Sequence, residues 1–415
     1  MNRHEVVDRV WAGHPVSFAL LTERGHQFMA YYDSERRLTV IGRALGSEKW
    51  MRVKPPGVVT GWDSHNYLRL ALDRDGCLHL SGNMHNDPLV YYRTSQPFDL
   101  TTLERIDYMT GDREQSATYP VFFKNSAGEL LFRYRDGGSG RGGDIYNVYD
   151  RTARTWRHLL DTPLLDGEGK RSAYALDPVL GPDGRFHLVW MWRDTPDCAT
   201  NHTLSYARSR DFVHWETSRG ESLHLPITLA RGEVIDPAKP GDGLINMTFT
   251  LGFDVENRPV VVYHRYDAQG HSQVYAARPS WDVRPISSWN FRWSFSDLGS
   301  IPAEVTLGAP RVAKDGSLLV DFWTKAIGPG RWRVGEHVDL LPSAAPVLPK
   351  DLTQASPHME VQTVVSRDGG RRWVLRWETL PRNRDLPRKE IPPASELRLY
   401  DFPDGETDTA SRVGS

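Results

Sequence analysis

The sequence predicts an all-β fold, a seven-bladed β-propeller. Seven polar turns built on Asp, Asn or Gly each introduce a short apolar strand: Asp33-Ser-Glu-Arg36, Asp73-Arg-Asp-Gly76, Asn125-Ser-Ala-Gly128, Gly181-Pro-Asp-Gly184, Asp254-Val-Glu-Asn257, Ala313-Lys-Asp-Gly316 and Arg367-Asp-Gly-Gly370. They recur every 40 to 73 residues, and repeat periods of about 40–50 residues point to propeller blades. No stretch keeps a 3.6-residue apolar period over the length of a helix.

The strands follow from their turns. Tyr67–Leu72 and Cys77–Ser81 flank the second turn with partial period-2 alternation, and Val121–Phe123 and Leu130–Tyr134 flank the third. Phe186–Trp192 follows the fourth turn, Pro259–Tyr263 the fifth and Leu318–Trp323 the sixth. Ser366-Arg-Asp368-Gly-Gly370-Arg-Arg-Trp373 fits S-x-D-x-G-x-x-W, the Asp-box of sialidase-type propellers, and Ser209-Arg-Asp211-Phe-Val-His-Trp215 is one residue shorter. In such a turn the Asp caps backbone N–H groups and the Trp packs between blades, so the box marks a fold and carries no chemistry. Trp190, Trp192 and Trp323 are assigned mainly to the core. The propeller is expected over residues 1–378. Residues 379–415 are a Pro- and charge-rich extension that either hangs free or returns Glu396-Leu-Arg-Leu-Tyr400 as the strand closing the ring.

Composition bounds the function. The 415 residues are 39% hydrophobic, with 14 Trp and 16 Tyr, enough for a sizeable core. A net charge of −2 and a pI near 6.7 give no general attraction for nucleic acid or an anionic membrane. An acidic partner must therefore be met by a local cluster. Cys77 and Cys198 form neither a CxxC pair nor a disulfide framework. The first ten residues lack the apolar core of a signal peptide, so the chain is expected to be cytoplasmic as given, and secreted or periplasmic if a leader precedes it. No apolar run approaches the ~20 residues needed to cross a bilayer. The sequons Asn201-His-Thr203 and Asn246-Met-Thr248 carry no weight without secretion.

Hairpin register assembles the candidate site. Turn 73–76 pairs Leu72 with Cys77, which sets His65 opposite Met84 and beside His85. Turn 125–128 pairs Lys124 with Glu129, which sets Tyr119 opposite Tyr134 and beside Arg135. Arg193 stands nine residues after Gly184, as His85 stands nine after Gly76; Arg265 is eight after Asn257. Equivalent blades would bring all of these to one rim, although a β-bulge flips the facing of the strand that contains it.

These residue types suit one chemistry better than others. The rim offers no paired Asp/Glu for two-carboxylate glycoside hydrolysis and no Ser or Cys nucleophile motif. Arginine binds a carboxylate bidentately and neutralises it. A neutralised uronate carboxylate acidifies its C5 hydrogen, which a Tyr or His removes while another group protonates the departing O4. That is β-elimination, and it requires no cofactor. The competing roles are local: an ion pair of Arg135 with Asp136, and of Arg193 with Asp194. Gly137–Gly143 lacks the helix and Lys-Ser/Thr of a phosphate loop and is read as letting backbone approach a sugar.

Trp62-Asp-Ser-His65-Asn66, Gly82-Asn-Met-His85-Asn-Asp-Pro88, Thr118-Tyr119-Pro120, Phe132-Arg-Tyr-Arg135-Asp-Gly and Trp190-Met-Trp-Arg193-Asp-Thr resemble the core motifs of the BNR-4 seven-bladed propeller lyases. That group contains ulvan lyases and lyases of rhamnosyl-α-1,4-glucuronate ends. The likeness runs from about Phe18 to Arg278. It implies that Tyr119 is the catalytic base or acid, with His85 and His65 as partners, that Arg135 neutralises the carboxylate, and that Arg193 binds substrate together with Asn66. Arg265 joins the substrate-binding set on geometry. The implied partner is an acidic oligosaccharide or polysaccharide of rhamnose and glucuronate, cleaved to a 4,5-unsaturated uronate. Some relatives were described as α-L-rhamnosidases relying on a first-blade His, which His26 resembles, so the alternatives are that hydrolase or a non-catalytic uronate-binding propeller. Ulvan lyases of this type can hold a structural zinc. Here Cys198 and His202 are spaced C-x3-H, but Ser139 stands where another His is expected, and two ligands do not make a four-coordinate site. Neither zinc nor calcium is assigned.

Overall fold

The computed structural model describes residues 3–59, 61–335, 337–341 and 350–403. Seven antiparallel sheets follow one another along the chain, each of four or more strands. Blade 1 is built from Ala19–Glu23, His26–Tyr32, Leu38–Ala44 and Met51–Val53, and blade 2 from Leu68–Leu72, Leu78–Gly82, Tyr91–Thr94 and Leu103–Ile106. Blade 3 comprises Ala117–Lys124, Leu130–Gly138, Arg141–Asp150 and Thr155–His158. Blades 4, 5 and 6 begin at Ser172–Ala175, Phe249–Phe253 and Val305–Leu307. First strands of neighbouring blades lie against one another, as in blades 7, 1, 2 and 3, so they form the inner wall. Among the described residues no helix is long and apolar enough to cross a membrane.

Blade 7 closes the ring with both ends of the chain. Its strands are Glu360–Asp368, Arg371–Thr379, Ser395–Pro403 and, outermost, Arg3–Val10. The second half of the Pro-rich tail thus lies between Arg371–Thr379 and the N-terminal strand, which leaves few sheet edges open. Residues 404–415 of the extension lie outside the described residues.

Two expectations about the turns need correction. The hairpin loops are one residue longer than predicted: Leu72 pairs with Leu78, and Lys124 with Leu130. The cause is side-chain closure of the turn. The Asp73 carboxylate accepts from the N–H of both Asp75 and Cys77, at 2.9 Å each, and Gly76 at φ 88° makes the following bend. Asp254 closes its turn in the same way, onto Glu256 and Arg258. The second correction concerns the first repeat. Asp33–Arg36 joins the second and third strands of blade 1, whereas the other six turns join first and second strands. It therefore lies on the opposite face of the disc from the other six, and the matching turn of blade 1 is Arg24-Gly25.

The tryptophan-rich strands are mostly core, as period-2 strands buried on both faces should be. Trp190 and Trp192 are fully buried, but Trp323 is 41% exposed, because it sits on the outward phase of Leu318–Thr324. The shorter Asp-box caps as expected, with Asp211 accepting from the N–H of Val213 and His214 at 2.9 and 2.8 Å. The longer one ties blades together, since Ser366 Oγ accepts from Thr22 N at 2.8 Å.

Candidate active site

The loop entering blade 2 and the loop leaving its second strand meet over the inner wall. Asp63 organises both. Its Oδ1 accepts from the backbone N–H of His65 at 2.8 Å and from His65 Nδ1 at 2.6 Å, while its Oδ2 bonds Nδ1 of His85. The two imidazoles stack with centroids 4.1 Å apart. The second loop turns at Gly82 (φ 148°), where a Cβ would lie 2.1 Å from the Tyr67 carbonyl oxygen, so only glycine fits. Asn86 then fastens it to blade 3, donating from its N–H to Thr118 Oγ1 at 2.7 Å.

With Nδ1–H turned to Asp63, the His65 imidazole in its neutral form presents Nε2 as an acceptor. Burial holds the His65 imidazole below its ordinary pKa and outweighs the opposing pull of Asp63. Burial also opposes ionisation of Asp63, but the hydrogen bonds from His65 and His85 prevail and keep it well below the usual carboxylate range. The result is one charged carboxylate holding two rings.

Tyr119 comes from a bulge in the inner strand of blade 3. Thr118 pairs with Arg135 and Val121 with Arg133, so Tyr119 and Pro120 share one position on the partner strand. Tyr119 takes φ 61°, left-handed backbone uncommon for a non-glycine residue, and Pro120 has no N–H to lose from the ladder. The Tyr119 ring meets His65 edge-on at 5.4 Å and Tyr174 at 6.0 Å. Burial raises its hydroxyl above the ordinary phenol pKa, with Tyr174 adding to the effect.

The arginines occupy matched positions in adjacent blades, Arg135 across from Thr118 and Arg193 across from Ser172. Neither pairs with the acid that follows it. Arg135 donates to Tyr174 Oη and Thr118 Oγ1 at 3.3 Å each and to the Gly137 carbonyl at 3.1 Å. Arg193 donates to Asn201 Oδ1 at 2.8 Å and to Asn246 Oδ1 at 2.5 Å. Asp194 instead bonds Arg171 and His202. Both guanidiniums are buried, and neither has a carboxylate partner among the described residues. An uncompensated buried cation is costly, so the pair is set to receive an anion.

Tyr174, on the inner strand of blade 4, lies between them. Arg193 Cζ sits 4.0 Å from its ring centroid and Arg135 Cζ 5.8 Å. Its hydroxyl is 2.6 Å from Ser139 Oγ, which the Gly-rich hairpin delivers. Burial opposes ionisation of Tyr174, but Arg193 and Arg135, helped by these hydrogen bonds, bring the hydroxyl below the ordinary phenol value.

His65, His85, Tyr119, Arg135 and Arg193 are therefore brought together. Asn66 is buried beside them, where its backbone N–H closes the turn onto Asp63 and its carbonyl accepts from Tyr32 Oη at 2.7 Å. Arg265, on blade 5, is bonded through Nη1 to both oxygens of buried Asp236 at 2.9 and 2.8 Å. His26 is not part of the cluster. It follows the Arg24-Gly25 turn on the opposite face, stacked on Phe98 at 4.0 Å.

The cluster also includes residues that sequence reasoning missed. Asp63 lies inside the motif Trp62–Asn66, and Tyr174 occupies the third position of its inner strand, as Tyr119 does in blade 3. Asn201 and Asn246, set aside as sequons, hold Arg193. Cys198 packs among Ile245 and Val260, while His202 bonds Asp194 and Thr203. The one group of three or more with metal-ligand geometry among the described residues is Asp63, His65 and His85, whose donor atoms lie within 4.8 Å of one another.

A family model described as a BNR repeat-containing family member matches residues 26–289, more than half of the chain. No curated protein sequence matches it. Among solved structures, the polysaccharide lyase Uly1 is similar at TM-score 0.62 and 15% identity, covering 94% of this chain and 90% of that one. A PL25 ulvan lyase bound to -[GlcA(1-4)Rha3S]- is similar at TM-score 0.64 and 13% identity, covering 98% and 96%. At these identities the likeness extends to the fold.

Proposed function

The chain belongs to the BNR-4 family of BNR repeat-containing proteins, and we propose that it is a polysaccharide lyase cleaving a uronate glycosidic linkage by β-elimination. The observation that carries this reading is the pair of buried arginines without carboxylate partners among the described residues, set across Tyr119 from an Asp-held histidine pair. The fold it shares with Uly1 and the PL25 ulvan lyase supports the same class of reaction.

The substrate carboxylate binds between Arg135 and Arg193, against Tyr174. Neutralised there, it lets the C5 hydrogen leave as a proton, because the charge that develops is spread onto the carboxylate and met by both guanidiniums. His65, neutral and with Nε2 free, is the base. Tyr119, kept protonated by burial, stands between the histidines and the carboxylate site and donates to O4. The C5–H electrons form the C4=C5 bond, the C4–O4 bond breaks, and O4 leaves as a hydroxyl. His65 then gives up its proton to water and Tyr119 regains one. Asp63 holds both imidazoles in the tautomer this requires, and His85 braces His65 by stacking.

The linkage we propose is rhamnosyl-glucuronate or a close relative, supported by the motif resemblance and by the GlcA-Rha3S ligand of the ulvan lyase neighbour. The hydrolase reading through His26 is disfavoured by its place on the opposite face. Incubation with ulvan and gum arabic oligosaccharides, followed by the ultraviolet absorbance of the unsaturated uronate, tests the proposal. Binding without any new product would favour a non-catalytic propeller instead.

A further inference from the structure

The connection between the second and third strands of blade 7, residues 380–394, crosses the site face as a strap. Leu380 N donates to the Ala12 carbonyl at 2.8 Å. Asp385 is its main anchor. One carboxylate oxygen accepts from Ser64 N at 3.2 Å and meets His14 Nε2 at 2.8 Å, and the other accepts from Ser300 N at 2.8 Å. Ser64 lies between Asp63 and His65, so the strap is bonded to the loop that carries the catalytic histidine. Ser64 Oγ and Ser300 Oγ also bond each other, which joins the loops entering blades 2 and 6 beneath it.

The strap carries three arginines, and two are used to hold it. Arg384 pairs with Asp297 at 2.8 Å, and Arg388 donates to the Pro381 carbonyl. Arg382 has no hydrogen-bond or ion-pair partner among the described residues, yet it is only partly exposed and lies in the field of Asp385 and Glu360. Burial holds its guanidinium below the usual value. Its planar fork suits an oxyanion. Arg382 is three residues from Asp385, within about 10 Å along an extended chain, and the Glu360 whose field it feels is the first residue of the inner strand of blade 7.

We propose that Arg382 is a specificity-determining residue that binds a second oxyanion group of the substrate, on a sugar other than the uronate held by Arg135 and Arg193. The group is a sulfate ester or a further uronate carboxylate. The proposal rests on the reading of the site as one for acidic polysaccharide.

The test compares wild type, Arg382→Ala and Arg382→Lys on three oligosaccharides: one with a single uronate and no sulfate, one with a sulfate ester added, and one with a second uronate. Wild type should favour a doubly charged substrate in KM, and Arg382→Ala should lower that preference about tenfold, a loss of about 1.4 kcal/mol. Arg382→Lys should recover part of it, since charge remains but the fork is lost. Whichever doubly charged substrate responds identifies the group. Equal KM changes on all three substrates, or none, would overturn the proposal. Calorimetric binding of the same oligosaccharides to Tyr119→Phe and Tyr119→Phe/Arg382→Ala needs no turnover. If wild type forms no unsaturated product but the double variant binds the doubly charged oligosaccharide about tenfold more weakly, the lyase reading fails and the Arg382 site stands.

Discussion

Tyr119 and Tyr174 stand edge to face with ring centroids 6.0 Å apart, and their hydroxyls are driven in opposite directions. Burial dominates at Tyr119 and keeps its proton on. At Tyr174 burial is outweighed by Arg193, Arg135 and the Ser139 hydrogen bond, which lower its pKa. Such a split between neighbours of one residue type marks a division of labour. In the proposed mechanism Tyr119 is the proton donor and Tyr174 belongs to the carboxylate site.

Tyr119→Phe should lower kcat by about a hundredfold to ten-thousandfold while leaving oligosaccharide affinity nearly intact, as steady-state kinetics and calorimetry would show. Undiminished turnover would remove Tyr119 from the mechanism.

Arg135→Lys should not rescue Arg135→Ala. The guanidinium uses Nε, Nη1 and Nη2 on three different partners, a fork that a lysine ammonium does not reproduce. Both variants should lose about a hundredfold to a thousandfold in kcat/KM. A lysine variant near wild-type activity would show that charge alone suffices.

Asp63→Asn leaves one oxygen and one amide group facing two imidazoles, so only one ring keeps its Nδ1–H partner. Turnover should fall about a hundredfold or more, and the acid limb of the kcat profile should move to lower pH, because the carboxylate that raises the His65 pKa is gone. A purely structural Asp63 would leave the pH profile in place.

The wild-type profile follows from the same signs. His65 acts neutral, and burial lowers its pKa, so kcat should hold as pH falls through about 6.5 and decline only below it. Tyr119 acts protonated, and burial raises its pKa, so it imposes no alkaline loss below about pH 10. An acid limb at or above the ordinary imidazole value would exclude His65 as the base.

A separate effect of pH falls on stability. His264 is buried in blade 5, donates Nδ1–H to the Gly243 carbonyl at 2.7 Å, and has its pKa lowered to about 4 by burial. Its folded pKa lies below the unfolded one, so stability is complete above about pH 6.5 and is lost as pH falls toward 4, by about 3 kcal/mol. Urea midpoints across this window should fall in the wild type and fall less in His264→Gln.

Much of the site was legible in the sequence because hairpin geometry carries information. His65, His85, Tyr119, Arg135 and Arg193 occupy the same end of three blades, and a one-residue error in turn length did not move them to another face. His26 was singled out by motif likeness alone, outside the register argument that placed the other five. Tyr174 was hidden because the chain leaves the sheet between Ala175 and Val179, so no tight turn leads back to it. Asp63 was in plain view, but its shared hold on two rings is a three-dimensional fact. The ring closure joins residues 3–10 to 395–403, a pairing with no local signal.

His26→Ala should retain full activity, given its place on the opposite face. The central claim is met most directly by one measurement on the wild-type protein: the masses and ultraviolet spectrum of the products from a rhamnose–glucuronate oligosaccharide. Elimination predicts an absorbing 4,5-unsaturated uronate and product masses that sum to that of the substrate. Products that together are heavier by one water, with no such absorbance, would contradict it.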